Sequence, residues 1–328
     1  MQTNKPYYMR NLFIQLKDIL TYRSELMGWS ILWIMMLHFT FNQIAFLGFI
    51  AQYGFAGVEI FLFVSGIGLY FSLEKNNNPK QFYKKRLLRI FPTYYILGIF
   101  ASLIIFQDNI LSYFIRYTTI GFWTGGIYWE WYIPSLIVLY ILAPILKFII
   151  DKQQLLIGLI IIICLGSSYI LVDSNYIDRA HFFFLYRIPA FLYGMICALW
   201  IKEKHSTKFF LYTLLAGIPF FIYFFPQHHQ IYNYKYFSLL FLMPLFILTF
   251  ILISKYLHFL NPITSSIGKA SLEIYLIQSI FFSAKLRGII TVPPNWHDLS
   301  TICFIFISVI LGIFAHKLID RSGIYRLL

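Results

Sequence analysis

The chain has 328 residues, 59% of them hydrophobic and only 12% charged, and its mean hydropathy is +0.72. That balance excludes a water-soluble domain, which needs more polar surface to cover itself, and the unbroken apolar runs exclude a membrane barrel, whose strands alternate. A formal net charge of +13 does not call for nucleic acid, because the basic residues gather in loops between apolar runs, where they orient helices in a bilayer.

The expected fold is all-α, a polytopic integral-membrane bundle of about ten transmembrane helices, since helices satisfy their own backbone groups in lipid. Residues 1–25 read as a cytoplasmic N-terminal segment. There NLFIQLKDILTYRSEL puts Leu12, Phe13, Leu16, Ile19 and Leu20 near one helical face, with Lys17 and Asp18 off it, the pattern of an interfacial helix. No cleavable leader is legible, because the first apolar run is too long and no small-residue cleavage site follows it. A transmembrane domain is expected over 26–320 and a basic cytoplasmic tail over 321–328. Its helices are read at 26–48, 54–73, 92–106, 132–150, 155–172, 182–201, 209–225, 236–253, 270–290 and 300–319. The segment 74–91 falls in a basic loop, and residues 107–131 in an outer segment.

Of the 26 Lys and Arg, all but Arg116, Arg179, Arg187, Lys235, Lys285 and Arg287 lie in the loops and tails on the N-terminal side. This asymmetry predicts cytoplasmic termini in a cell membrane. Cys164, Cys197 and Cys303 sit in apolar runs without CxxC spacing and read as small core residues. No histidine cluster has metal-ligand spacing, and no metal is expected. Richness in Phe, Tyr, Ile, Asn and Lys hints at an AT-rich bacterial genome.

Ionisable groups inside a membrane are expensive, so each marks a candidate site. His38 lies about 18 Å along the first helix at 1.5 Å per residue, near the midplane. A neutral imidazole there acts as a general base, or is satisfied by a neighbouring helix without chemistry. Glu59, near the outer end of the second helix, either steadies that imidazole, as a carboxylate does in a triad, or simply favours a helix N-terminus. Phe82, Arg86 and Arg89 fall at i, i+4 and i+7 on one helical face. Phe82 would anchor that face on the membrane while the two guanidiniums, with Lys85 beside them, address one anion; arginine suits phosphate. The alternative is an orienting loop that binds anionic lipid.

Arg187 precedes Pro189, whose kink would hold it toward the interior. Glu130 sits among the aromatics of YWEWY, which suit a carbohydrate or form an interfacial belt. Both are candidate substrate-binding residues. Glu273 and Gln278 are further interior polar groups, His228 and His229 read as solvated loop residues, and Gly66 and Gly68 as close-packing sites.

These motifs, in this order, resemble the acyltransferase 3 family of integral-membrane O-acyltransferases. GVEIFLFVSGIGLYFS is similar to its GVxxFFxxSG helix, and FYKKRLLRIFPTYY to its FxxxRxxRxxP segment with Arg86 and Arg89. LMGWSILWIMMLHF is similar to its first helix, ending in His38. YRIPAFLYGMICALW resembles its R-x-x-x-F-x-x-G helix, and GKASLEIYLIQSIF its S-x-x-x-Y-L-x-H segment. Two positions depart: Met27 stands where the family has arginine, with Arg23 one turn earlier, and Gln278 stands where it has histidine. The resemblance implies no permanently bound cofactor and an acyl-CoA co-substrate, most often acetyl-CoA, used from the cytoplasm. It implies as acceptor a hydroxyl of a glycan or lipid-linked saccharide at the cell envelope. Expected partners are thus acyl-CoA, that acceptor and membrane lipids, with no nucleic acid. His38 would deprotonate the acceptor, Glu59 would steady His38, and the arginines would hold CoA. The competing readings are a transporter or flippase of envelope precursors, which inverted repeats would favour, and a relative of such enzymes that has lost activity.

Overall fold

The computed structural model of the chain describes residues 15–75, 78–124, 131–153, 156–164, 184–185, 187–204, 208–224 and 234–323. Among these it contains helices and no strand. The longer helices are α1 (Arg23–Phe39), α2 (Ala45–Ala51), α3 (Phe55–Lys75), α4 (Pro79–Ala101), α5 (Ile110–Tyr117), α6 (Tyr132–Lys152), α7 (Ile188–Lys202), α8 (Lys208–Phe224), α9 (Tyr234–Tyr256), α10 (Asn261–Lys269), α11 (Ser271–Leu286) and α12 (His297–Arg321). A further helical stretch covers 156–164.

By length and composition, Ala45–Lys75, Pro79–Phe106, Tyr132–Lys152 and Pro294–Arg321 are each able to cross a membrane. A fifth crossing results if Phe241–Tyr256 and His258–Lys269, bent by 92°, form one broken span. The protein is a membrane protein, but the ten spans expected from hydropathy do not all appear as long continuous helices among the described residues. α1, α7 and α11 have 17, 15 and 16 residues, short of the roughly 20 that cross the hydrocarbon core straight.

Two corrections to the expected elements bear on the site. The run 26–48 is not one helix. α1 stops at Phe39, and Thr40 turns the chain with φ 59°. The break is stabilised from α12: the Asp298 carboxylate accepts the backbone N–H groups of Asn42, Gln43 and Ile44 at 2.8, 2.9 and 2.7 Å. The Thr301 hydroxyl bonds the carbonyls of Phe39 and Thr40. Backbone groups freed at membrane depth need such partners. Nor is 74–91 a loop from end to end. Asn78 caps α4, its side chain accepting from the N–H groups of Lys80 and Gln81, with Pro79 in the first turn. The basic segment is therefore the first half of a helix that runs through Pro92.

The N-terminal segment also differs. Leu16 and Ile19 are buried against the bundle, and Asp18 pairs with Lys255 of α9 at 2.8 Å, while Leu12 and Phe13 lie outside the described residues. Cys164 and Cys197 are buried as expected, but Cys303 is exposed.

α3 is the central helix. Its span is 72% buried against 17% for that of α12, and it packs on α1, α6, α7 and α9. Close approach is written into glycines. A Cβ on Gly66 would stand 2.3 Å from the Phe191 carbonyl oxygen, and one on Gly194 2.0 Å from that of Phe63, so α3 and α7 cross backbone to backbone. α1 runs from a basic end, where Arg23 and the first half of α4 lie, to a far end, where its last turn meets the end of α11 and the start of α12.

Candidate functional site

His38 occupies the last turn of α1 rather than the middle of a longer helix. Its ring is half-buried and stacks on Phe282 of α11, with ring centroids 5.0 Å apart. Nδ1 lies 2.9 Å from Oε1 of Gln278, one turn before Phe282 on the same face of α11. An amide oxygen only accepts, so Nδ1 carries the proton; in the neutral ring Nε2 then keeps a lone pair, the form required of a proton acceptor. Gln278 is fully buried, and its Nε2 donor has no hydrogen-bond partner among the described residues.

The expected partner of His38 was Glu59. The structure instead gives Glu59 to Arg187, whose Nη1 donates to Oε1 of the carboxylate and, at 3.4 Å, to the carbonyl of Phe55. Both side chains are sealed from solvent, at 2% and 1% exposure, and Trp131 lies against the guanidinium at 5.4 Å. A buried carboxylate needs a counter-charge. Glu59 finds it across the α3–α7 crossing, one residue before the start of α7, because Arg187 precedes the helix that Pro189 opens. Two candidate residues are thus paired with each other. Glu130 lies outside the described residues.

At the basic end Arg86 and Arg89 do not act alike. Arg89 Nη1 pairs with Glu273 of α11 at 3.2 Å, and its Nη2 donates to the Lys269 carbonyl at 3.1 Å. The same carboxylate receives His316 of α12 at 3.2 Å. Glu273 is completely buried, and Arg89 supplies its counter-charge. Arg86 turns inward over the Phe82 ring at 5.6 Å, and its Nε is buried with no hydrogen-bond partner among the described residues. Phe82 anchors this face in the protein core, at 4% exposure, and not on the membrane. Lys85 is exposed.

A third arginine joins Arg86. The Arg23 guanidinium lies against Gly68 of α3, where a Cβ would stand 2.8 Å from Nη2. It is within electrostatic reach of Arg86 and of Tyr140 on α6. No carboxylate lies within ion-pair distance of Arg23 or Arg86 among the described residues. Two guanidiniums without a carboxylate partner thus lie near a phenol, an arrangement chemically able to receive an anion such as phosphate. Met27, at the departing position, packs among apolar neighbours. Gly68 therefore faces a cation and is not a helix-packing glycine like Gly66. Among the described residues no group of His, Cys, Asp and Glu is arranged to hold a metal.

Sequence reasoning did not assign Tyr140, Gln278 or Lys285 to a site. Only Gln278 carried a signal, as the departure from an expected histidine.

A family model described as an acyltransferase domain, that of acyltransferase 3, matches residues 26–318. Among curated proteins, one named "Putative acetyltransferase ORF330", from Acidianus two-tailed virus, is 27% identical over 218 residues, which is 60% of this chain and 62% of that protein. No solved structure matches. The family match takes in nearly every helix described, with His38, Arg86 and Gln278 inside it, and the chain belongs to the acyltransferase 3 family.

Proposed function

We propose that the protein is a membrane-embedded O-acyltransferase. It would move an acyl group, acetyl in the simplest case, from cytoplasmic acyl-CoA to a hydroxyl of an envelope or extracellular glycan, free or lipid-linked. Family membership supports acyl transfer, and the name of the viral relative supports acetyl. The observation that carries the reading is the imidazole of His38, held by Gln278 in the tautomer with a free Nε2, on the helix that begins with Arg23. Positions 23 and 38 are about 22 Å apart along the axis at 1.5 Å per residue. CoA carries its phosphates and its thioester at opposite ends of a flexible arm, which suits two such separated stations.

In this reading Nε2 of His38 takes the hydroxyl proton as the acceptor oxygen bonds the thioester carbonyl carbon. The unused Nε2 donor of Gln278 supports the developing oxyanion. The C–S bond then breaks with its electron pair on sulfur, and the imidazolium returns the proton to the departing thiolate. The products are an ester and free CoA, and the enzyme is unchanged. Arg23, Arg86 and Tyr140 hold phosphate. Arg89 ties α4 to α11 so that Arg86 keeps its place, and the exposed Lys85 adds to the local positive field. The Glu59–Arg187 pair braces α3 against α7, and Glu130 remains a proposed contact for the sugar.

The test is transfer from acetyl-CoA by purified protein in nanodiscs. His38→Ala should lower it by about 10²-fold or more, the usual weight of a positioned base, while the variant still inserts and elutes as a single species. Undiminished transfer by that variant removes the mechanism. Saccharide movement across liposomes without consumption of acyl-CoA would favour a transporter instead.

A further inference from the structure

Beyond the imidazole, α11 presents one more ionisable group on the face that meets His38. Gln278, Phe282 and Lys285 stand at i, i+4 and i+7. The first two touch His38, and the third donates to the carbonyl of the next residue, Phe39, at 3.3 Å. Gln278 and Lys285 are about 10 Å apart along the helix at 1.5 Å per residue, and both contact the last turn of α1. Lys285 is half-buried.

Its surroundings orient the cation without neutralising it. His297 Nε2 lies 3.4 Å from Lys285 Nζ, and His297 Nδ1 lies 3.4 Å from Asp298 Oδ1. A protonated amine only donates and a carboxylate only accepts. His297 thus stands between the two, its Nε2 toward the lysine and its Nδ1 toward the Asp298 carboxylate. Asp298 is occupied elsewhere, by the three backbone N–H groups of residues 42–44. No carboxylate lies within ion-pair distance of Lys285 among the described residues. An ammonium has three donors; Phe39 and His297 take two, and the third has no acceptor among the described residues.

From this we infer that the acceptor bound at His38 carries an anionic group, a carboxylate or a phosphate, which Lys285 receives while the hydroxyl meets the imidazole. The inference rests on the acyl-transfer reading and narrows its acceptor from glycans in general to acidic or phosphorylated saccharides. Charge-assisted hydrogen bonds are the stronger kind, and an ammonium with no carboxylate partner keeps its charge available to an incoming anion.

The experiment uses the full chain in nanodiscs of neutral lipid. Three probes are compared: an oligogalacturonate (carboxylate), N-acetylglucosamine 1-phosphate (phosphate) and a neutral oligogalactose. Binding is read by calorimetry without donor, and transfer by kcat/KM with acetyl-CoA. Wild type should favour at least one anionic probe over the neutral one by tenfold or more in both readouts, and whichever anion wins names the source. Lys285→Met should erase the preference, and Lys285→Arg should retain most of it. Equal handling of neutral and anionic probes by wild type, binding of none of them, or a preference that survives in Lys285→Met overturns the inference. Binding of an anionic probe without transfer to any acceptor would instead overturn the acyl-transfer reading and leave the anion site standing. If Lys285→Met does not fold, the wild-type comparison still decides.

Discussion

With Oε1 of Gln278 2.9 Å from Nδ1, His38 is left one basic nitrogen, and the amide does for the ring what Glu59 was expected to do. A neutral acceptor fixes the tautomer without burying a carboxylate, which would itself need a counter-ion. Gln278→Leu removes the acceptor and leaves Nδ1–H unpaired, at a cost of about 1–3 kcal/mol. We expect transfer to fall roughly ten- to hundredfold in kcat, with KM for acyl-CoA changing far less, because Gln278 acts on the imidazole and the developing oxyanion and not on the coenzyme's phosphates. Gln278→His restores an acceptor and should recover most of the rate. A loss carried wholly by KM would show that Gln278 belongs to the coenzyme site instead. Residue identities also explain why Arg86 and Arg89, three apart in the chain, have separate fates: only one of them meets the buried Glu273.

At the scale of elements, α3 makes two kinds of approach through glycines two residues apart. Gly66 faces the carbonyl of Phe191, a backbone atom that cannot yield, whereas Gly68 faces the end of the Arg23 side chain, which can. The same substitution should therefore fail differently at the two crossings. Gly194→Leu, which drives a side chain into the Phe63 backbone, should prevent recovery of a monodisperse, cooperatively melting protein. Gly68→Leu should leave the melting transition near that of wild type but push the Arg23 guanidinium off the anion site. The expected reading is a rise of about tenfold in the KM for acyl-CoA, the order of one charge-assisted hydrogen bond. A Gly68→Leu protein with unchanged KM would exclude Arg23 from coenzyme binding. The break after α1 is likewise an affair between elements: α12 supplies the carboxylate and the hydroxyl that hold residues 39–44 in their turn.

In the proposed reaction the two stations lie at opposite ends of α1, so a bilayer crossing between them should be visible chemically. In a background with Cys164, Cys197 and Cys303 changed to serine, single cysteines at Lys80 and at Trp296, both exposed, should be labelled by a membrane-impermeant maleimide from opposite sides of sealed vesicles. Labelling of both from one side would remove the two-sided reaction from consideration. The helical membrane class was legible in composition and in the length of apolar runs, because burial in lipid is a sum over local residues. The basic segment and His38 stood out as candidates too, because an ionisable group in an apolar chain is conspicuous wherever it lies. The pairings were not. α3 is apolar nearly all round, so periodicity shows neither its rotation nor its depth, and Glu59 could be matched to His38 as readily as to Arg187. Only the tertiary structure decided that Glu59 meets Arg187, that Gln278 reaches His38 across 240 residues of chain, and that Arg23 joins Arg86 near Tyr140. The reason is that these contacts depend on where whole helices cross, and crossings are set by backbone approach at a few glycines and not by the pattern of any single run.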